Sequence, residues 1–218
     1  VVIDHHFRGA DYIEDPALLY HEPYASSTSE LVTEIVQYFD EDVALKPMEA
    51  EALLAGITID TKGFSFKTGV RTFEAASYLR RSGADTISIR QLFQDDLATY
   101  SNRVEVVRNA RIVKNGIAIS QVPKGMENAS LIAAQAADSL LTIRGITASF
   151  VLSAQNGNVL ISARSLGGIH VQLILEKLGG GGHATIAGAK MQNTTMKEAM
   201  DALLAAIDDY LQEEREKK

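Results

Sequence analysis

Cysteine is missing from all 218 residues. Its absence excludes disulfides, thiolate nucleophiles and cysteine-based zinc or iron–sulfur centres together, and it suits a reducing compartment such as the cytoplasm. Basic residues are in the minority, 21 Lys and Arg against 28 Asp and Glu, for a net charge of −7. A protein that grips long nucleic acid usually carries a basic surface to displace counterions, so long DNA or RNA is a poor fit. A small anion remains possible, because a metal ion or a few focused dipoles hold one locally. No run of about 18 apolar residues occurs, the length a membrane span needs, so these residues predict no membrane contact. No signal peptide, internal repeat or low-complexity tract is visible. What remains is 46% hydrophobic, enough for one large domain or two small ones around real cores.

The chain opens on Val1-Val2-Ile3-Asp4-His5-His6. A short apolar run that stops on a carboxylate and two imidazoles reads as a buried strand ending at a metal site. Ligands of doubly wound sheets gather at such strand ends. Alternation in an extended chain puts Asp4 and His6 on one face and His5 on the other, so a division of labour is expected. A His pair in a solvated loop is the plain alternative, and the preceding Val-Val-Ile with Asp4 weighs against it. Asp60, at the end of the apolar helical stretch Gly56-Ile57-Thr58-Ile59-Asp60, is the natural partner. A carboxylate at a helix C-terminus is disfavoured by the macrodipole, and a nearby cation would offset that.

Between these points Phe7–Tyr24 reads as loop. Ser27 with Glu30 fits a capping box for a helix over Thr28–Phe39. Pro47 fits the first position of a helix reaching Asp60. A helix around Phe73, Ala76 and Leu79 ends by Gly83, and a shorter one covers Thr86–Phe93. Asp96–Arg111 is charged and helix-compatible, and is expected to connect two halves. Beyond it, Ile112–Val113 and Ile117–Val122 flank Asn115-Gly116, a hairpin signal. A helix over Ser130–Leu140 follows. Strands at Ile146–Ala154 and Val159–Arg164 flank Gln155–Asn158. A helix through Val171, Ile174, Leu175 and Leu178 ends at Gly179-Gly180-Gly181-Gly182-His183. A strand over Ala187–Met191 and a helix over Met196–Glu213 complete the chain.

The predicted class is therefore α/β in two subdomains. Residues 1–94 hold a remnant of a doubly wound parallel sheet, 95–111 connect, and 112–218 form a smaller α/β domain on a mixed, largely antiparallel sheet. Glycine runs let backbone N–H groups approach phosphate without a side chain in the way. Ser26–Ser29 read as a helix cap, since no base beside them would activate a nucleophile. His21 and His170 have no motif around them and are expected to be surface or packing residues.

Asp4-His5-His6, then Ser26-Ser27-Thr28-Ser29-Glu30, then Gly56–Thr61, then Gly179–His183 resemble, in order and spacing, the DHH phosphoesterases that carry a C-terminal DHHA1 domain. Within that family the chain is most similar to the membrane-linked cyclic-di-AMP phosphodiesterases, with the oligoribonucleotide-degrading nanoRNases as near relatives. The resemblance implies a metal-dependent phosphodiesterase that opens cyclic-di-AMP to linear pApA, using two closely spaced Mn²⁺ ions. It implies that His5 and Asp60 ligate one ion, that Asp4 orients His5 or its surroundings, and that His6 lies near the phosphate. It further implies that Gly179, Gly180, Gly181, Gly182 and His183 hold the other end of the substrate, with Arg164 available for its phosphate.

The family also places two metal-binding blocks ahead of the triplet, and neither is in this chain. The expectation is a longer parent, anchored in the cell membrane with this part on its cytoplasmic side, and weak metal binding by these residues alone. Val1–Ile3 would then be an unpaired edge that favours homodimers. The other readings are trimming of short oligoribonucleotides or pAp, and nucleotide binding without catalysis.

Overall fold

The computed structural model describes residues 1–6, 12–39 and 44–216. They form two compact units, Val1–Gln94 and Asp95–Lys218. In the first, strand β1 (Val2–Asp4) pairs in parallel with β2 (Leu19–His21). The register sets Val2 against Leu19 and Asp4 against His21. Leu19–His21 had read as loop; its three residues are too few for an alternating pattern, and only pairing with β1 makes them a strand. Phe7–Asp11, also read as loop, lie outside the described residues.

Helix α1 (Thr28–Phe39) starts where expected. The buried Ser27 hydroxyl accepts the Glu30 N–H at 3.0 Å. The reciprocal half of the capping box is absent: the Glu30 carboxylate instead takes the Ser26 hydroxyl at 2.5 Å. Helix α2 (Pro47–Asp60) begins on its proline, and its Glu49 carboxylate accepts the Lys46 N–H at 2.8 Å. Helices α1 and α2 cross closely at Gly56, where a Cβ would meet Ser29 Oγ and lie 3.0 Å from Ser29 Cβ. Helices α3 (Val70–Arg81) and α4 (Thr86–Leu92) close a small core of Leu54, Ile57, Ala75, Leu79 and Ile89.

The second unit opens with α5 (Leu97–Arg108), capped by Asp96, which accepts the Thr99 N–H at 2.9 Å. This is the helix read as a connector. It buries Val106 in the second unit's own core and ends before Arg111. A six-stranded sheet follows: β3 (Arg111–Ile112), β4 (Ile117–Gln121), β5 (Ala148–Gln155), β6 (Asn158–Ser165), β7 (Gly181–Gly182) and β8 (Ile186–Met191). The strand order is β3-β4-β5-β6-β8-β7, and only the β4–β5 pair is parallel. That pair is joined by α6 (Ala129–Leu140), since parallel neighbours need a crossover.

The remaining helices are α7 (Val171–Glu176) and α8 (Met196–Glu216). Alternation along β5 divides the core. Phe150 and Leu152 join Ile161, Ile174, Leu203 and Tyr210 on the face of α7 and α8. Val151 joins Val106, Ile132, Ala136 and Leu140 on the face of α5 and α6. The sheet is mixed and largely antiparallel, with helices on both faces. Strand β7 lies inside the glycine run.

Candidate functional site

The first unit's site is built at the end of β1. The Asp4 carboxylate accepts the His6 backbone N–H at 3.0 Å and lies 2.8 Å from His6 Nδ1. These bonds hold the Asp4 carboxyl below the ordinary carboxylate range. Asp4 therefore fixes His6, two residues on, where the chain has left β1. His21, opposite Asp4 in the register, brings Nε2 to 2.6 Å from the His6 carbonyl. A carbonyl only accepts, so that nitrogen carries the proton. Reading His21 as surface or packing missed this contact. Nothing around it in sequence marks it; its partner comes from strand register alone.

The His5 ring packs on that of His6, their centroids 4.3 Å apart, and His5 is 8% exposed. Burial lowers the readiness of its imidazole to protonate, the His6 charge adds to this, and Asp60 opposes it. Burial thus favours the neutral ring, the form that binds metals. His5 Nε2 lies 3.6 Å from Asp60 Oδ2, too far for a good hydrogen bond. Two donors flanking one ion, each at roughly 2 Å, would sit about so. His5 Nδ1 is buried, and no described residue makes a hydrogen bond of ordinary geometry to it. The Ala25 carbonyl polarises the ring from nearby. Buried polar atoms without partners are rare and call for a reason. Among the described residues no three His, Asp or Glu side chains converge as a metal cluster. His5 and Asp60 are two donors of the right chemistry: a neutral imidazole and a carboxylate whose side chain is 41% exposed.

Asp60 is positioned by a stiff helix end. The Thr61 hydroxyl donates to the Ile57 carbonyl at 2.6 Å and accepts the Phe64 N–H at 3.0 Å. The Thr61 carbonyl accepts from Ser65 and Phe66, both at 2.8 Å. The close α1–α2 crossing at Gly56 lies one turn before Asp60, so the Asp60 carboxylate is tied to the body of the unit. Ser26 and Ser27 are spent on the α1 start, as expected of caps.

In the second unit Arg164 and the glycine run reach one end of the sheet. Arg164 on β6 pairs with Ile186 on β8, and the His183 N–H donates to the Ile186 carbonyl at 2.7 Å. The Arg164 guanidinium is anchored by Asp138 Oδ1 at 3.1 Å and the Ala163 carbonyl at 3.0 Å. The four glycines divide by role. At Gly180 a Cβ would meet Gly188 O and lie 2.6 Å from Ala189 Cβ; at Gly182 it would lie 2.6 Å from Ala187 Cα. These two are small so that β7 can pack on β8. Gly179 takes φ +74°, and Gly181 has open space where a Cβ would go. His170, read as surface or packing, precedes α7 and donates its N–H to the Tyr210 hydroxyl at 3.0 Å.

A buried neutral imidazole facing a carboxylate in one unit, and a glycine-lined sheet edge in the other, fit the sequence matches. Residues 1–57 match the DHH family N-terminal domain and residues 114–213 match the DHHA1 domain. The chain therefore carries DHH N-terminal domain sequence and a DHHA1 domain. Cyclic-di-AMP phosphodiesterase GdpP of Geobacillus thermodenitrificans is 51% identical over 213 residues, 97% of this chain and 32% of that protein. Cyclic-di-AMP phosphodiesterase PdeA of Listeria monocytogenes is 47% identical, over 96% of this chain and 32% of its own length. The chain thus spans about a third of the length of the curated relatives it matches. Among solved structures, an exopolyphosphatase-related protein of Bacteroides fragilis superposes with a TM-score of 0.83 at 25% identity, covering 95% of this chain and 63% of that one. No helix among the described residues is long and apolar enough to cross a membrane.

Proposed function

We propose that the chain is part of a divalent-metal phosphodiesterase that opens cyclic-di-AMP to linear pApA, with His5 and Asp60 as ligands of one manganese ion in a two-ion centre. The observation that carries this is the 3.6 Å approach of the buried His5 Nε2 to the Asp60 carboxylate. When bound, the metal supplies activation of water and stabilisation of charge developing on the phosphoryl oxygens. His5 and Asp60 supply part of one ion's ligand set, so these residues alone bind metal weakly. Asp4 holds the exposed His6 by its backbone N–H and its ring Nδ1, and His6 meets a phosphate oxygen there. The His21 contact to the His6 carbonyl keeps the turn from relaxing. In the second unit, the open space beside Gly181, with His183 and the anchored Arg164, takes nucleotide phosphate. The names and identities of the cyclic-di-AMP phosphodiesterase relatives support this choice of substrate over longer nucleic acid, as does the net charge of −7.

The test is turnover of cyclic-di-AMP with Mn²⁺, followed by chromatography of the products. It is run on these 218 residues and on a polypeptide of the relatives' length. The longer protein yields pApA, and Asp60→Asn or His5→Ala lowers the rate at least a hundredfold. Unchanged turnover in Asp60→Asn removes the metal assignment. Hydrolysis of pAp or short RNA with cyclic-di-AMP left intact moves the function to the nanoRNase type. Nucleotide binding by calorimetry with no turnover of any of these would leave a binding module.

A further inference from the structure

One recess of the first unit has no part in the chemistry above. It is an open groove of about 690 Å³, and its walls include Tyr24, Phe64, Ser65, Lys67, Thr68 and Phe73. It adjoins the His5 site. Tyr24 precedes Ala25, whose carbonyl polarises the His5 ring, and Lys67 lies near enough for its charge to oppose protonation of His5.

The Phe64 and Phe73 rings stack 5.6 Å apart at an angle of 15°. Phe73 nevertheless leaves 57% of its surface in water, and Tyr24 leaves 87%. Exposed aromatic area is disfavoured by its apolar surface, and here it collects beside a cation. Flat rings with a lysine at the rim are what a base-stacking, phosphate-contacting subsite requires. The backbone is also committed to this display. Phe64 and Lys67 sit at φ 64° and 46°, a region that side-chain-bearing residues rarely adopt. The Thr61 hydroxyl and carbonyl hold the Phe64, Ser65 and Phe66 N–H groups that keep the loop there. Such strain persists only where surrounding bonds over-determine it, and it collects at binding sites.

We propose that this recess takes the base of a nucleotide whose phosphate lies toward His5 and Asp60, with Tyr24 and Phe73 stacking on the base and Lys67 contacting the phosphate. The assignment rests on the phosphodiesterase reading and adds the residues that select a base-bearing phosphate over a bare one. Purines are held better than pyrimidines, because their larger rings stack over more area.

The probe is 2-aminopurine ribonucleoside 5′-monophosphate, whose fluorescence falls on stacking, titrated with the protein in EDTA. Wild type quenches it. Tyr24→Ala and Phe73→Leu each weaken binding about five- to a hundredfold, with unchanged circular dichroism. Lys67→Gln weakens the nucleotide and leaves the unphosphorylated riboside as it was. Should Phe73→Leu fail to fold, the exposed Tyr24 carries the test alone. No quenching by wild type, or equal affinity in the folded ring variants, overturns the subsite. Turnover of cyclic-di-AMP with Mn²⁺, measured in parallel in the longer protein, separates the two readings. Turnover without quenching removes the subsite and keeps the phosphodiesterase. Quenching without turnover keeps the subsite and removes the phosphodiesterase.

Discussion

Alanine at each glycine of the run separates packing from ligand binding. A Cβ at Gly180 falls 2.6 Å from Ala189 Cβ and 2.9 Å from Ala189 Cα, and closer still to the Gly188 carbonyl. None of these atoms can rotate away, so β7 must move off β8. Overpacking of this kind costs about 1–3 kcal/mol. Gly180 adopts no left-handed φ, so the clash is the whole effect. Gly181→Ala meets nothing within 4 Å and should stay within about 0.5 kcal/mol of wild type. For a domain of this size roughly 3–6 °C of melting temperature accompanies each kcal/mol. Gly180→Ala is therefore expected to melt about 3–18 °C lower in differential scanning calorimetry, in the transition of the second unit. Gly181→Ala should melt with wild type and lose nucleotide affinity instead, because its methyl group enters the open edge. Equal melting temperatures for Gly180→Ala, Gly181→Ala and wild type would refute the packing account.

Three further expectations follow from the same reasoning. Ser27→Ala removes a buried cap acceptor from α1 and should cost about 1 kcal/mol in chemical denaturation; no loss would mean that Ser26 or water replaces it. Gly56→Leu forces α1 from α2 by more than the Ser29 hydroxyl can yield, so it should cost about 1–3 kcal/mol and weaken Mn²⁺ binding measured by calorimetry; an unchanged metal affinity would show that Asp60 does not depend on that crossing. Asp85, Asp96 and Glu198 have carboxyls held below their ordinary range by N–H bonds at helix starts. A depressed folded pKa contributes stability above the unfolded pKa, and that stability is lost as pH falls through the folded value. Melting temperature should thus fall on acidification through and below the carboxylate range, and Asp85→Asn, which caps without titrating, should flatten that slope; an unaltered slope would remove Asp85 from the acid sensitivity.

Much of the fold is legible in local chemistry. Ser27 and Phe39 bracket α1, and Pro47 and Asp60 bracket α2, because caps, proline and apolar spacing act within a turn or two of chain. Asn115-Gly116 and Asn156-Gly157 turn their hairpins through positive φ at all four residues, a conformation that asparagine and glycine adopt most readily. The pairing of Asp4 with His6 is equally local, a carboxylate meeting the residue two positions on. These are properties that a residue carries into any fold.

Other features belong to contacts between distant segments. Leu19–His21 become a strand only against Val2–Asp4, and that register alone brings His21 to the His6 carbonyl. The 3.6 Å approach of His5 to Asp60 spans 55 positions and depends on a helix crossing that Gly56 permits. The glycine run reads as a phosphate hook, yet Gly180 and Gly182 are set by the strand beside them. Local steric preference and hydrogen bonding are written along the chain. Burial, register and close approach exist only once the chain has folded and surfaces far apart in order have met.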